Sequence, residues 1–322
     1  MNFRNRNIHL ITGGAGFIGS NLISKLLINE GNQIICLDNL LTGNYENIRK
    51  WENNPNFLFL NQSVLEKKDF DFEFNYIWHL ACPPSPKYYY KNPIQTSKII
   101  YSGTLRILEL AKKNKADFLF ASSSEVYGNS LSIPMDEELC GMIKTSSNRS
   151  CYSESKRLAE TLCFDFQRQY NLGIKIARIF NTFGPGMSTT DGRVINTFIV
   201  NAIKNLPLYI NGDGNQTRSF CYVDDIIEGM ISLMYSSHNG SFNLGFPQEI
   251  SVLDLAKKIL NKVESSSDLI FKEGYHDEPL RRKPSIQKAK KKLLWEPKIS
   301  LEEGLDSTIR FFRELLNDES KN

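Results

Sequence analysis

No stretch of this 322-residue chain approaches the run of roughly 18 apolar residues that a membrane-spanning helix needs, and no spanning segment is expected. The start of the chain, Met1 to Asn7, is polar and leads directly into an apolar run. No secretory signal is read there, and a cytoplasmic address is expected. Histidine is scarce, at four residues, and the six cysteines (Cys36, Cys82, Cys140, Cys151, Cys163 and Cys221) are never spaced Cys-x-x-Cys. No metal site is expected, and the thiols read as reduced. Neither sign of charge dominates: Lys+Arg 39 against Asp+Glu 36 leaves a net charge of +3. That balance argues against a nucleic-acid binder, which needs a large basic surface. The late basic clusters, Arg281-Arg282-Lys283 and Lys288 to Lys292, read as a solvated helix face. Internal repeats and low-complexity segments are lacking as well. What remains is an ordinary globular composition, 41% hydrophobic and 23% charged, in a length suited to about two domains of roughly 100–200 residues.

Short β-branched runs alternate with longer amphipathic stretches through the first half. Strands are expected at Ile8–Thr12, Gln33–Asp38, Phe57–Asn61, Tyr76–Ala81, Phe118–Ser122 and Lys175–Ile179. Helices are expected at Phe17–Asn29, Thr96–Asn114 and Tyr152–Tyr170. This order implies an α/β fold, a Rossmann-type doubly wound parallel sheet. Beyond about Asn181 the pattern loosens into loop chemistry at Gly184-Pro185-Gly186 and Gly212-Asp213-Gly214. Helices follow at Val194–Lys204, Val252–Val263 and Leu301–Leu316. The expected division is a sheet domain over 1–180, to which the chain returns around 220–245, and a smaller C-terminal substrate-binding domain over 181–322.

Thr12-Gly13-Gly14-Ala15-Gly16-Phe17-Ile18-Gly19 joins the first strand to the first helix. Glycines there let the backbone approach a pyrophosphate and aim the helix's N-terminal amides at it. Asp38, at the end of the second strand, is placed to accept from a ribose diol, and its charge would repel a 2′-phosphate. NAD is therefore expected over NADP. Tyr152 and Lys156 stand four residues apart on a helix, hence on one face. A neighbouring ammonium would lower the phenol's pKa and let it take a proton from a sugar hydroxyl while hydride leaves the same carbon. Ser122-Ser123-Ser124-Glu125 ends an apolar strand, where parallel sheets bind ligands, and a serine hydroxyl there can hydrogen-bond the reacting oxygen.

These motifs together resemble the extended short-chain dehydrogenase/reductase superfamily, and the match runs nearly end to end with its UDP-glucuronate decarboxylases. It is carried by Cys36-Leu37-Asp38-Asn39 with Thr42-Gly43, His79-Leu80-Ala81-Cys82-Pro83 with Ser85-Pro86, Ser124-Glu125-Val126-Tyr127-Gly128, and Arg149-Ser150-Cys151-Tyr152. Ala177-Arg178-Ile179-Phe180-Asn181-Thr182, Asp191-Gly192-Arg193-Val194, Gly212 to Arg218, Arg282-Lys283-Pro284 and Trp295-Glu296-Pro297 continue it. The resemblance implies NAD-dependent conversion of UDP-glucuronate to UDP-xylose through C4 oxidation, loss of CO2 and return of hydride. The implied catalytic residues are Tyr152, Lys156, Ser123, Glu125 and Arg282. NAD would lie against Gly13, Gly16, Phe17, Ile18, Gly19, Asp38, Asn39, Thr42, Gly43, Val64, Leu80 and Ala81, with Tyr152 and Lys156. The nucleotide sugar would lie against Pro83, Ser85, Asn181, Arg193, Val194, Arg218 and Arg282.

The resemblance also implies a homodimer through a four-helix bundle of Thr96–Asn114 and Tyr152–Tyr170, with Ala159, Leu162, Cys163 and Phe166 as an apolar stripe that packing on the parent sheet also explains in part. Departures from the pattern are Ser63 for an aspartate at the adenine, Ile100 for an asparagine, Thr145-Ser146-Ser147-Asn148 for a proline-containing loop, and Gly186 and Ser285 for an arginine and an aspartate. Two alternatives stand beside the decarboxylase: a sister nucleotide-sugar 4,6-dehydratase, 4-epimerase or 4-oxidase, and a non-catalytic NAD-binding regulator. Ser124, where dehydratases carry an acid, and the intact Tyr152, Lys156, Ser123 and Glu125 argue against them.

Overall fold

The computed structural model describes residues 7–66, 70, 72–130, 132–274 and 281–319. In chain order the first half runs β1 (Asn7–Thr12), α1 (Phe17–Leu26), β2 (Asn32–Asp38), α2 (Glu46–Arg49), β3 (Phe57–Asn61), β4 (Tyr76–His79), α3 (Pro86–Tyr89), α4 (Pro93–Asn114) and β5 (Asp117–Ser123). A 3-10 turn (Ser124–Tyr127), α5 (Ser150–Tyr170), β6 (Ile174–Ile179), β7 (Thr182–Phe183), α6 (Val194–Ile203), β8 (Leu208–Asn211), β9 (Thr217–Arg218) and β10 (Cys221–Tyr222) follow. The chain ends with α7 (Val223–Met234), β11 (Gly240–Leu244), β12 (Ile250–Ser251), α8 (Val252–Val263), β13 (Leu269–Lys272), α9 (Gln287–Leu293) and α10 (Leu301–Glu319).

Seven strands form one parallel sheet in the order β11-β6-β5-β4-β1-β2-β3. Successive side chains of a strand face opposite sides. Leu10 therefore packs with Ile35, Phe118 and Ile176 in one core, under α4 and α5, while Ile11 packs with Leu22, Trp78 and Phe242 in the other. The strand order reverses between β1 and β4, which opens a crevice at their carboxyl ends. His79 fixes that junction: it hydrogen-bonds Thr12 Oγ1 through Nδ1 (2.7 Å) and Thr104 Oγ1 through Nε2 (3.1 Å). Burial drives its pKa down to about 3, so the ring is a neutral strut.

β4 stops at His79 rather than Ala81, because Leu80 and Ala81 turn their amides onto Thr12 O and Oγ1 (3.1 and 3.3 Å). α1 stops at Leu26, whose carbonyl takes a bond from Asn32 Nδ2 (2.9 Å), and α4 begins earlier than expected, with Pro93 in its first turn. β11 was not read from the sequence as a strand; it is five residues long and adds to the sheet edge along β6. The apolar stripe of α5 faces inward. Ala159, Cys163 and Phe166 are buried in the core of the chain itself, which corrects their assignment to a dimer face.

Candidate active site

The glycine loop is shaped by contacts that leave no room for a side chain. Gly13 has φ +73°, and a Cβ there would stand 2.8 Å from Ala81 N; at Gly19 it would stand 2.3 Å from Gly13 O. α1 therefore starts hard against β4's extension, with Gly16 at its N-cap, no side-chain cap and no acidic residue in its first turn. Its first amides, those of Phe17, Ile18 and Gly19 among them, are the donors an anion wants. Asp38 closes the cradle: Oδ2 accepts from Ala15 N (3.0 Å) and Oδ1 from Leu40 N (2.8 Å). Burial pushes its carboxyl above the usual range against the pull of those two bonds. Each oxygen keeps a lone pair for a hydroxyl. Gly43 packs on this carboxylate, where a Cβ would approach Oδ2 to 3.0 Å, while Asn39 and Thr42 lie exposed beside it. Val64 is buried beneath Gly103 of α4. The arrangement fits a dinucleotide.

Past the crevice, β5 delivers Ser123, its turn delivers Ser124 and Glu125, and α5 delivers Tyr152 and Lys156. Tyr152 is buried, stacked on Tyr89 (ring centroids 5.4 Å apart), and its phenol hydrogen-bonds Ser123. Burial pushes the phenol well above its ordinary pKa; Cys82 and Glu125 add to this, and Ser123 opposes it. The lowering by Lys156 expected from the spacing is not met. The Lys156 ammonium lies 5.8 Å from the Tyr152 ring centroid and donates to Ala121 O (2.6 Å) instead.

Glu125 is the electrostatic centre. Arg282 lies in no helix and is only 3% exposed, which corrects its reading as part of a solvated helix face; it reaches Glu125 at 2.9 Å, and Arg149 does so at 3.7 Å. Burial raises the Glu125 carboxyl, but Arg282, Arg149, Arg218 and the Ser153 hydroxyl outweigh it and hold the group below the usual carboxylate range. Arg282 also donates to Ser124 Oγ (3.4 Å). The contacts thus join Ser123, Glu125, Tyr152, Lys156's helix, Arg218 and Arg282. Asn181, just past β6, lies next to the Arg218 segment, donating to Ser219 O (3.4 Å).

A second cluster gathers around Asp191. The Arg193 guanidinium forks onto that carboxylate (2.7 and 2.6 Å) and lies over the Phe17 ring, and Ser85 Oγ donates to Asp191 O (2.7 Å). Val194 opens α6 from there, and Pro83 is buried nearby in sequence. A diphosphate at this place would share Arg193 with Asp191 or displace it.

Sequence reasoning assigned no role to Arg149, Tyr89 or Ser153. Arg149 holds both Glu125 and the Tyr89 hydroxyl, and Ser153 holds Glu125. The signal for Arg149 was its place three residues before Tyr152 in a matched stretch; Tyr89, inside a run of three tyrosines, had none.

The family model described as the NAD dependent epimerase/dehydratase family matches residues 9–245. UDP-glucuronic acid decarboxylase 1 of Arabidopsis thaliana is 46% identical over 311 residues, covering 96% of this chain and 71% of that protein. Among solved structures, epimerase Mth375 of Methanothermobacter thermautotrophicus superposes with a TM-score of 0.91 at 31% identity, covering 99% of this chain and 96% of that one. UDP-glucuronic acid 4-epimerase of Bacillus cereus, in complex with UDP-glucuronic acid and NAD, gives a TM-score of 0.87 at 28% identity, covering 96% and 99%. Among the described residues no helix is long and apolar enough to cross a membrane, and no group of His, Cys, Asp and Glu could hold a metal ion.

Proposed function

Because the chain belongs to the NAD dependent epimerase/dehydratase family, we propose that it decarboxylates UDP-glucuronate to UDP-xylose with NAD as its cofactor. Bound NAD supplies a hydride acceptor that is restored within each cycle, so the reaction has no net redox change. Tyr152, placed by α5, would take the proton of the C4 hydroxyl in its ionised form, which the positive charge of bound NAD would favour relative to the empty site, and Ser123 would hydrogen-bond the same oxygen. Once C4 is a ketone, the C6 carboxylate is β to a carbonyl. The C5–C6 bond then breaks, CO2 leaves, and its electron pair rests on O4 as an enolate. Tyr152 and Ser123 stabilise that oxyanion. A proton added at C5 restores the ketone before C4 is reduced again.

The observation that carries this reading is the buried Glu125, shared by Arg282 and Arg149 and held ionised. Two guanidiniums on one carboxylate leave positive charge for a carboxylated sugar. Ser124 stands where a dehydratase needs an acid, and it touches Arg282. Names of relatives such as the Arabidopsis decarboxylase support the same substrate.

Mass spectrometry after incubation of NAD-loaded protein with UDP-glucuronate tests the reading. A product lighter by one CO2 supports it. Unchanged mass with inverted C4 makes the protein an epimerase, and loss of water from a neutral nucleotide hexose makes it a dehydratase; either overturns the assignment.

We also propose a homodimer across α4 and α5. With the inward stripe of α5 spent on the core, the apolar surface available for it includes Ile94, Tyr101, Leu158 and Tyr170, all exposed on these two helices. Light scattering at micromolar concentration should return twice the chain mass; a monomer mass would refute the assembly.

A further inference from the structure

Arg282 and Ser124 meet although 158 positions separate them in sequence. Arg282 comes from a strip, residues 281–285, that lies in no helix and no ladder strand. The strip's backbone is pinned on both sides of Met135: Met135 N donates to Lys283 O (2.8 Å) and Ser285 N donates to Met135 O (2.7 Å). One side chain joins this strip to the turn that carries Glu125. Asn243 of β11 is fully buried. Its Nδ2 donates to Met135 O (3.0 Å) and to Ser285 O (3.1 Å), and its Oδ1 accepts from the Tyr127 hydroxyl (2.7 Å). Tyr127 closes the same 3-10 turn that holds Ser124 and Glu125.

Both amide hydrogens and the carbonyl of Asn243 are therefore spent on three different segments. The direction of the Tyr127 bond is set as well. Arg178 Nη1 donates to that hydroxyl (3.0 Å), so its single hydrogen goes to Asn243. Arg178 is in turn held by Glu160 (2.7 Å), one helical turn beyond Lys156 on α5, and Glu160 accepts from Ser122 next to Ser123 (2.5 Å). A continuous set of buried, direction-specific bonds thus runs from the Tyr152 helix to the Arg282 strip. Asn243 is the member that bonds both the strip carrying Arg282, at Ser285 O, and the turn carrying Glu125, at the Tyr127 hydroxyl.

We propose that Asn243 is a positioning residue that sets the separation of Arg282 and Glu125 for the reaction. The inference rests on the reading that this pair serves the sugar. Asn243→Asp keeps an acceptor for Tyr127 and removes the donors to Ser285 O in the strip and to Met135 O, on which the strip is pinned; Tyr127→Phe removes the other tie and is the second variant should the first not fold. Glu125 is faced by Arg282 from the strip, Arg149, Tyr152 and Ser153 from the α5 region, and Arg218 from β9.

In NAD-loaded Asn243→Asp, kcat on UDP-glucuronate should fall by roughly ten- to a hundredfold, the scale of an ångström of misplacement, with NAD affinity unchanged. The acid limb of the pH–rate profile should move to higher pH, because Glu125 loses its nearest cation. Hydrogen exchange at Ser285 should quicken while β6 stays protected. Tyr127→Phe should shift the acid limb the same way with a smaller loss of kcat. A folded variant of either kind with wild-type kcat and an unmoved acid limb overturns the proposal, and so does unchanged Ser285 exchange in Asn243→Asp. If wild-type protein releases no CO2 but Ser285 exchange still quickens, the placement stands and the decarboxylase reading fails.

Discussion

The two ends of the crevice are built from different materials. At the glycine loop the walls are backbone: Gly13 against Ala81, Gly19 against Gly13, Ala15 and Leu40 on Asp38. At the end proposed for the sugar the walls are long charged side chains, with Glu125, Arg149, Arg218 and Arg282 drawn from distant parts of the sequence. Backbone walls tolerate almost any neighbour but no Cβ. Side-chain walls can be exchanged one at a time, each exchange altering charge and reach. The first suits a cofactor common to many reactions, and the second suits a substrate that distinguishes them.

The comparison breaks most sharply at the residue where the two ends meet. Tyr152→Phe should lower turnover by at least the roughly 10²–10⁴-fold that acid–base catalysis contributes, while NAD binding by calorimetry stays intact. Retained turnover would remove Tyr152 from the chemistry. Since burial holds this phenol well above its ordinary pKa, ultraviolet titration without added nucleotide should show no phenolate difference between wild type and Tyr152→Phe below the normal tyrosine range.

Next comes the backbone wall. Gly19→Ala places a Cβ 2.3 Å from Gly13 O and 2.7 Å from Gly14 Cα, and neither atom belongs to a flexible side chain. Overpacking of this kind costs about 1–3 kcal/mol of stability. NAD affinity should fall by more than about tenfold, the factor equivalent to 1.4 kcal/mol. Thermal melts with and without NAD measure both, and an unchanged NAD-induced shift in Tm would show that the loop is not the cradle.

The same contrast explains how far the sequence could be read. The glycine turn, Asp38 and the first strands and helices are local, and composition, periodicity and spacing within a few dozen residues carry them. Tyr152 and Lys156 share a helix face because four residues make about one turn. That face could not reveal the partner of Lys156, since Ala121 O belongs to a strand end brought near only by folding. β11 is short and carries Gly, Ser and Asn, so it has little strand signal alone and becomes a strand by pairing with β6. The stripe of α5 is apolar whether it faces a sheet or a second copy of the chain, and pattern alone does not choose between them. Arg149 and Asn243 act through contacts of long sequence separation, and nothing near them marks those partners.

The smallest expected effect lies at the adenine-side edge of the backbone wall and compares Asp38 with Ser63. Asp38→Ala removes a buried carboxylate whose two oxygens shape the loop and keep lone pairs for a ribose hydroxyl. A hydrogen bond to a charged group is worth about 1.5–3 kcal/mol, so NAD affinity should fall by at least about tenfold. Ser63 spends its amide on Glu66 (2.9 Å) and its hydroxyl on Leu65 N (3.2 Å), which is turn chemistry. Ser63→Ala should therefore change affinity by less than about twofold, since a solvent-accessible local bond contributes only about 0.5 kcal/mol. The sign of the pH dependence separates the two further. Burial raises the Asp38 carboxyl, so it takes up a proton at a higher pH than an ordinary aspartate. NAD affinity should thus begin to weaken above the usual aspartate range as pH falls. Ser63→Ala should retain that dependence and Asp38→Ala should lose it. Calorimetry across the acid range decides: equal losses at the two positions, or a pH dependence that survives Asp38→Ala, would mean that Asp38 holds the loop together and does not receive the ribose.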